Sequence, residues 1–206
     1  MKIGFVFTNY NNSTFTEDAI KSIKKINNCS FEIVVVDNAS DKKDIKELKR
    51  IEEINNEVKI ILNKENIGYF KGLNVGIRYI RNNFEDIDTL VIGNNDVLFH
   101  EDFYNKLFVK QELLSKYPVI SPNIITADNF PQNPHVIKEI SKIREFVYDV
   151  YHFNYFFAKL ILKLAKITHS FTDRKDEEQH EEAQEIHQRY GACYNFTPKF
   201  IELNEE

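Results

Sequence analysis

The chain has 206 residues, 42% of them hydrophobic and 13% aromatic, which suffices for one substantial core in a single domain or a domain with an appendage. Its 27 Lys+Arg against 32 Asp+Glu give a formal net charge of −5. That balance argues against a general nucleic-acid binder, which would carry a basic stripe, and leaves room for a nucleotide, whose phosphates need only local charge.

The opening MKIGFVFTNYNN lacks the ~7–15-residue apolar run and small-residue cleavage site of a secretory leader, so the chain reads as cytoplasmic. Lys2 to Thr8 reads as a buried strand. Thr16-Glu17-Asp18 then opens a helix to about Ile26, with Thr16 as N-cap and the acids in the first turn. Cys29 follows; it and Cys193 are too few and too far apart for a disulfide scaffold, which suits a reducing compartment. Phe31 to Val36 is β-branched and nearly all apolar, as a strand covered on both faces should be. Asp41 caps a charged helix to about Asn55. Val58 to Leu62 is a third strand, Tyr69 to Asn82 a helix, and Thr89 to Ile92 a fourth strand running into GNND. Glu101 to Lys116 reads as helical and Val119 to Ile125 as a fifth strand.

The alternation ends at residue 125. Phe146 to Ile167 has the length of a membrane span, but Asp149, His152, Asn154, Lys159, Lys163 and Lys166 interrupt it, and each central charge costs about 2.5–3.5 kcal/mol in a bilayer. The three lysines recur at helical spacing opposite a Phe/Leu/Ile face, which gives an amphipathic helix. Two readings stay open for it: a helix packed on the core with a solvated lysine stripe, or a peripheral contact with anionic lipid. Asp173 to Glu185 is an acidic run, and Ala192 to Thr197 a short strand.

Strands alternating with helices predict βαβ units and a mainly parallel, Rossmann-like sheet flanked by helices. Ligands of open α/β sheets bind outside the C-terminal strand ends. Thr8-Asn9-Tyr10, Asp37-Asn38, Asn63 and Asn94-Asn95-Asp96 all follow strands and are predicted to share that rim. Several uses of such a rim are absent from the sequence: GxGxxG after the first strand, a P-loop, and a GxSxG elbow. The histidines at 100, 135, 152, 169, 180 and 187 show no metal-ligand spacing. The remaining chemistry rests on Asp and Asn. A lone carboxylate such as Asp96 beside amides suits a hard divalent ion that also binds phosphate oxygens, and Asp37 can accept from a base or ribose donor. Strand-end Asp and Asn are also ordinary turn formers.

In order and spacing, four blocks resemble the family 2 glycosyltransferases of the GT-A fold, in particular their rhamnosyltransferase-like branch. These are FTNYNN (7–12), IVVVDNAS (33–40), NKENIGYFKGLNVGI (63–77) and LVIGNND (90–96), with YGACYNFT (190–197) as a weaker fifth. The resemblance implies that residues 1–125 form the nucleotide-sugar-binding half and 126–206 a helical acceptor-side segment with one strand. It implies nucleoside contacts at Thr8, Asn9, Tyr10 and Asp37. Gly68 to Gly72 would approach the nucleotide, with Lys71 near the diphosphate. Asn94, Asn95 and Asp96 would stand at the metal motif, with Asp96 holding Mn²⁺ or Mg²⁺. Gly191, Ala192 and Cys193 would lie on the acceptor side, with Cys193 a packing residue rather than a nucleophile.

The implied activity is metal-assisted, inverting transfer of a sugar from a UDP- or dTDP-linked donor to a hydroxyl of a glycan or lipid-linked acceptor. Such a reaction belongs to polysaccharide biosynthesis, in the cytoplasm or peripherally at the inner face of the membrane. The family's base follows the Gly-Ala-Cys strand and an acidic loop. This sequence closes at Leu203-Asn204-Glu205-Glu206, so no base is assigned. A relative that binds a nucleotide-sugar or a partner enzyme without transfer is the alternative. A nucleotidyltransferase is disfavoured, because FTNYNNSTFTED offers a triphosphate neither glycine nor a basic residue.

Overall fold

A computed structural model describes residues 2–108, 111–129, 142–168, 185 and 191–203. Most of the acidic run (173–184), His135, His169, His180, His187, Tyr190 and residues 204–206 lie outside the described residues. The chain divides into two compact units, Met1–Pro122 with Gly191–Glu206, and Asn123–Tyr190.

In the first unit, β1 (Lys2–Asn9), α1 (Ser13–Ile23), β2 (Ser30–Asp37), α2 (Lys42–Glu53), β3 (Val58–Leu62), α3 (Tyr69–Asn83) and β4 (Thr89–Asn94) alternate as the sequence predicts. Then come α4 (Phe103–Phe108), α5 (Gln111–Lys116), β5 (Val119–Ile120), β6 (Cys193–Phe196) and α8 (Pro198–Leu203). The sheet order is β3-β2-β1-β4-β6-β5. The first four strands are mutually parallel; β6 runs antiparallel to both β4 and β5. This is the predicted α/β fold.

Successive side chains of a strand point to opposite faces. On one face of the sheet, Val6, Val34, Val36, Leu90 and Ile92 form a buried cluster with Leu73 and Ile80 of α3. Glycine brings that helix close. A Cβ on Gly76 would stand 2.4 Å from Val6 Cγ1, and one on Gly72 would stand 2.8 Å from Thr8 Cγ2. On the other face Phe5 packs edge-on against Phe99, ring centroids 5.2 Å apart, and Phe99 against Phe103 at 5.1 Å.

Two sequence expectations change at element ends. Thr16 is not the N-cap of α1: Asn12 holds that position, and Thr16 is buried one turn inside, where Asn9 takes its hydroxyl. Of the helix expected over 101–116, Phe103–Phe108 and Gln111–Lys116 are helical, and residues 109–110 lie outside the described residues. The fifth strand is two residues long rather than seven. Asp41, by contrast, caps α2 as predicted, accepting from Asp44 N at 2.8 Å.

The second unit contains α6 (Lys142–Phe153) and α7 (Tyr155–Thr168), which contact each other. The single helix expected over 146–167 is therefore broken at Asn154. Its side-chain oxygen accepts from Phe156 N at 3.0 Å and Phe157 N at 3.1 Å, a side-chain cap that starts a new helix. No helix among the described residues is long and apolar enough to cross a membrane.

The Gly76 contact sets a stability prediction. Alanine there would gain about 1 kcal/mol of helix propensity but force Cβ into the Val6 side chain. Gly76→Ala is expected to lose about 1–3 kcal/mol in urea denaturation, overpacking outweighing propensity.

Candidate functional site

Register places the strand ends together. Thr8 pairs with Asn94, Asn9 with Asp37, and Asp37 with Leu62. The chain leaves each parallel strand at this edge, where a cleft of about 300 Å³ opens. Thr8, Asn9, Tyr10, Asn94, Asn95 and Asp96 line it, joined by Asn12, Asn38, Asn66 and Tyr69.

Asn9 is the hub beneath the cleft. It is 1% exposed. Its Nδ2 donates to Asp37 Oδ1 at 2.9 Å and Asp44 Oδ2 at 2.7 Å, with Ser40 Oγ at 3.2 Å. Its Oδ1 accepts from Thr16 Oγ1 at 3.0 Å and Asn95 Nδ2 at 3.1 Å. One amide thus ties the end of β1 to β2, α1, α2 and the turn after β4. An amide with two hydrogens and two carboxylate partners can take only one orientation here.

Asp37 is fully buried and is not among the cleft-lining residues. Its carboxylate accepts from Asn9 Nδ2, Ser40 N and Ser40 Oγ. Three of roughly four lone-pair positions are used, which leaves one acceptor position. The turn that brings Ser40 back onto Asp37 passes through Ala39 at φ 62°, a left-handed conformation held by those bonds.

Asp44 completes the layer, accepting also from Ser13 N at 2.8 Å. Burial alone would raise its carboxyl, but hydrogen bonds from Ser13, Asn9 and the Asn12 backbone hold it below the ordinary carboxylate value.

The GNND turn splits by depth. Asn95 is buried, and its Nδ2 lies 2.8 Å from Thr16 Oγ1 and 3.3 Å from Asn12 O. Asn94 is half-buried and Asp96 exposed, both on the cleft. Among the described residues, Asp96 is the one carboxylate lining the cleft, and no cluster of three ligating side chains occurs. One carboxylate with neighbouring amide oxygens is a hard, oxygen-only donor set. It fits Mg²⁺ or Mn²⁺ that draws its other ligands from phosphate and water.

Opposite, α3 starts at Gly68, whose φ of +84° turns the chain and whose N–H donates to Asn66 Oδ1 at 3.0 Å. Asn38 Nδ2 reaches Gly68 O at 3.3 Å, and Asn63 Nδ2 donates to Asn38 Oδ1 at 3.0 Å. Gly72 is buried against Thr8 and Asn38, so its missing side chain serves helix–sheet packing rather than an approach to the cleft. Lys71, in the first turn of α3, is exposed and outside the cleft lining.

Tyr69 closes the cleft beside β6, its hydroxyl 3.5 Å from Gly191 O. Burial, with the charges of Tyr194, Cys193 and Asp96, pushes its phenol well above the usual value, so it stays a neutral donor. Of the acceptor-side trio, Gly191 is exposed, while Ala192 and Cys193 are buried. Ala192 O accepts from Asn94 N at 2.9 Å, and Gly93 has no room for a Cβ, which would meet that oxygen at 2.2 Å. Burial pushes the Cys193 thiol up to about 12, so it is no thiolate nucleophile near neutral pH.

Sequence reasoning placed Asn38 and Asn63 on the rim but passed over Asn12, Asn66 and Tyr69 as cleft residues, and Ser40 and Asp44 as the layer behind. Tyr69 had a signal: an aromatic directly after a helix-opening glycine at a strand-end loop.

The sequence profile of glycosyl transferase family 2 matches residues 5–193. The chain belongs to that family. A search of curated proteins finds no match. Among solved structures, Staphylococcus aureus TarS 1-349 in complex with UDP is 16% identical, with a TM-score of 0.54, covering 68% of this chain and 40% of that one. The mannosyltransferase PcManGT from Pyrobaculum calidifontis, in complex with GDP-Man and Mn²⁺, is 17% identical, with a TM-score of 0.50, covering 98% and 46%. The chain spans less than half the length of these structures, and at such identity the likeness shows the shared GT-A fold.

The Asp44 carboxyl gives a pH prediction. Its folded pKa lies below the unfolded value near 3.9, so its contribution is fully present above about pH 4 and is lost as pH falls through the folded pKa. Asp44→Asn should cost about 1–2 kcal/mol near pH 7, and in urea denaturation across pH 7 to pH 2 the gap to wild type should narrow only on the acid side.

Proposed function

We propose that the chain carries out inverting transfer of a sugar from a UDP- or dTDP-linked donor to a hydroxyl of a glycan or lipid-linked acceptor. The observation that carries this is the strand-end cleft of a family 2 chain, walled by Tyr10, Tyr69 and the Asn94–Asp96 turn. The ordered sequence blocks support the rhamnosyltransferase-like branch. The UDP and GDP-Man complexes of the two neighbours are consistent with a nucleotide-diphosphate donor.

In this reading Thr8, Asn9 and Tyr10 hold the nucleoside, with the half-exposed Tyr10 ring free to stack on the base. Asp37, buried behind the cleft, orients Asn9. Lys71 and the first turn of α3 face the diphosphate with positive charge. Asp96, with Asn94 beside it, would hold a divalent cation, which when bound offsets the charge gathering on the leaving diphosphate. In a single displacement the acceptor oxygen bonds to the anomeric carbon as its bond to the diphosphate oxygen breaks. The electron pair leaves with the nucleotide, and the hydroxyl proton passes to a carboxylate base. One displacement inverts the anomeric centre. A cytoplasmic setting at a membrane's inner face suits a lipid-linked acceptor.

Calorimetric titration of UDP and dTDP, with and without Mn²⁺, tests the site. Metal-dependent binding of one nucleotide is expected, weakened about 10–100-fold in Asp96→Ala, as for a lost charge-assisted contact. Equal affinity of wild type and Asp96→Ala in Mn²⁺ would remove Asp96 from the metal role. Metal-dependent binding without sugar transfer to any of a panel of glycan and lipid-linked acceptors would favour the non-transferring relative.

A further inference from the structure

The break at Asn154 gathers aromatic side chains at one corner of the second unit. Phe153 ends α6, and Tyr155, Phe156 and Phe157 begin α7. Phe153, Tyr155 and Phe156 are 77%, 74% and 72% exposed, although buried aromatics are among the largest contributors to a core. Their rings lie close: Phe153 to Phe157 at 6.1 Å and Phe156 to Phe157 at 6.0 Å. Further along α7, Leu160 and Leu162 are also exposed. Scattered exposed apolar residues are ordinary, but a contiguous corner of this kind marks a contact surface.

The charge around the corner selects the partner. Helix α7 carries Lys159, Lys163 and Lys166 and no acidic residue, while the adjoining end of α6 carries one exposed carboxylate, Asp149. Lys159 Nζ lies 4.9 Å from the centroid of the Tyr155 ring, so cation and aromatic share one patch. Exposed aromatics beside lysines, on a helix too short and too charged to span a bilayer, form the pattern of an element lying at the water–lipid boundary. Apolar rings enter the acyl boundary while the lysine ammonium groups stay at the anionic headgroups.

We propose that the α6–α7 corner docks the protein onto an anionic lipid bilayer, with Phe153, Tyr155 and Phe156 inserting and Lys159 and Lys163 binding the headgroups. Docking of this kind does not depend on what the cleft binds. A second copy of the chain packing on the corner is the competing occupant, and it is disfavoured because two lysine-rich helices would bring like charges together.

Vesicle co-sedimentation of the full chain tests it, using phosphatidylcholine vesicles with and without about 30 mol% phosphatidylglycerol. Wild type is expected to pellet with the anionic vesicles, and to be released as salt screens the lysines. Phe153→Ser, Tyr155→Ser and Phe156→Ser combined should abolish binding. Lys159→Glu with Lys163→Glu should weaken it by more than about tenfold on anionic vesicles. Circular dichroism and an unchanged nucleotide titration keep each variant's fold, and the cleft assignment, separate from the lipid readout. No vesicle binding by wild type at low salt, or binding indifferent to the aromatic substitutions, overturns the proposal. So does a concentration-dependent dimer that the aromatic substitutions dissolve.

Discussion

Two carboxylates reach one buried amide nitrogen at the end of β1, Asp37 Oδ1 at 2.9 Å and Asp44 Oδ2 at 2.7 Å from Asn9 Nδ2. Asp37 is buried and Asp44 half-buried, and carboxylates drawn from water are tolerable only when donors meet them, since the loss of a donor leaves an uncompensated charge. Asn9, Ser40 and Ser13 supply those donors, so β1, β2, α1 and α2 cannot shift independently at this edge. The amide oxygen extends the same constraint to Thr16 and Asn95, and through Asn95 to the GNND turn. Asp96 owes its place on the cleft to that chain of bonds: Asn95 is pulled inward, and its neighbours on either side turn out.

Close packing sets the other wall. Gly72 and Gly76 let α3 approach β1 and β2, which brings Tyr69 and Asn66 over the strand ends. Gly93 does the same for β6, whose Ala192 carbonyl binds Asn94 N. The two walls therefore rest on different physics, buried polar satisfaction on one side and absent side chains on the other. A cleft built this way is largely pre-formed, as small-ligand sites usually are.

Periodicity in the sequence carries the fold because four parallel strands buried on both faces leave long β-branched runs, FEIVVV above all. The rim is legible for a related reason: polar residues directly after such strands can only lie at the sheet edge. What single-residue reasoning loses is depth. Nothing in IVVVDNAS tells that Asp37 is buried under Ser40 while Asn38 lines the cleft, since that depends on the left-handed turn at Ala39. Thr16 looks like an N-cap because Thr-Glu-Asp is a good helix start; the buried Asn9 oxygen outcompetes that local preference. Gly72 looks like a ligand contact because the motif is glycine-rich, yet its space is filled by Thr8 and Asn38. Asn154 reads as an interruption in an amphipathic helix, and only its bonds to Phe156 and Phe157 reveal a cap between two helices.

We propose the strand-end cleft, fixed by Asn9 and walled by Tyr10, Tyr69 and Asp96, as the place where a nucleotide-sugar binds. A crystal structure of the chain with Mn²⁺ and the nucleotide that titrates most tightly tests it most directly. The base is expected beside Thr8 and Tyr10, the diphosphate toward the start of α3, and the metal on Asp96. A nucleotide bound elsewhere on the chain, or in the cleft with its phosphates turned away from Asp96, would contradict it.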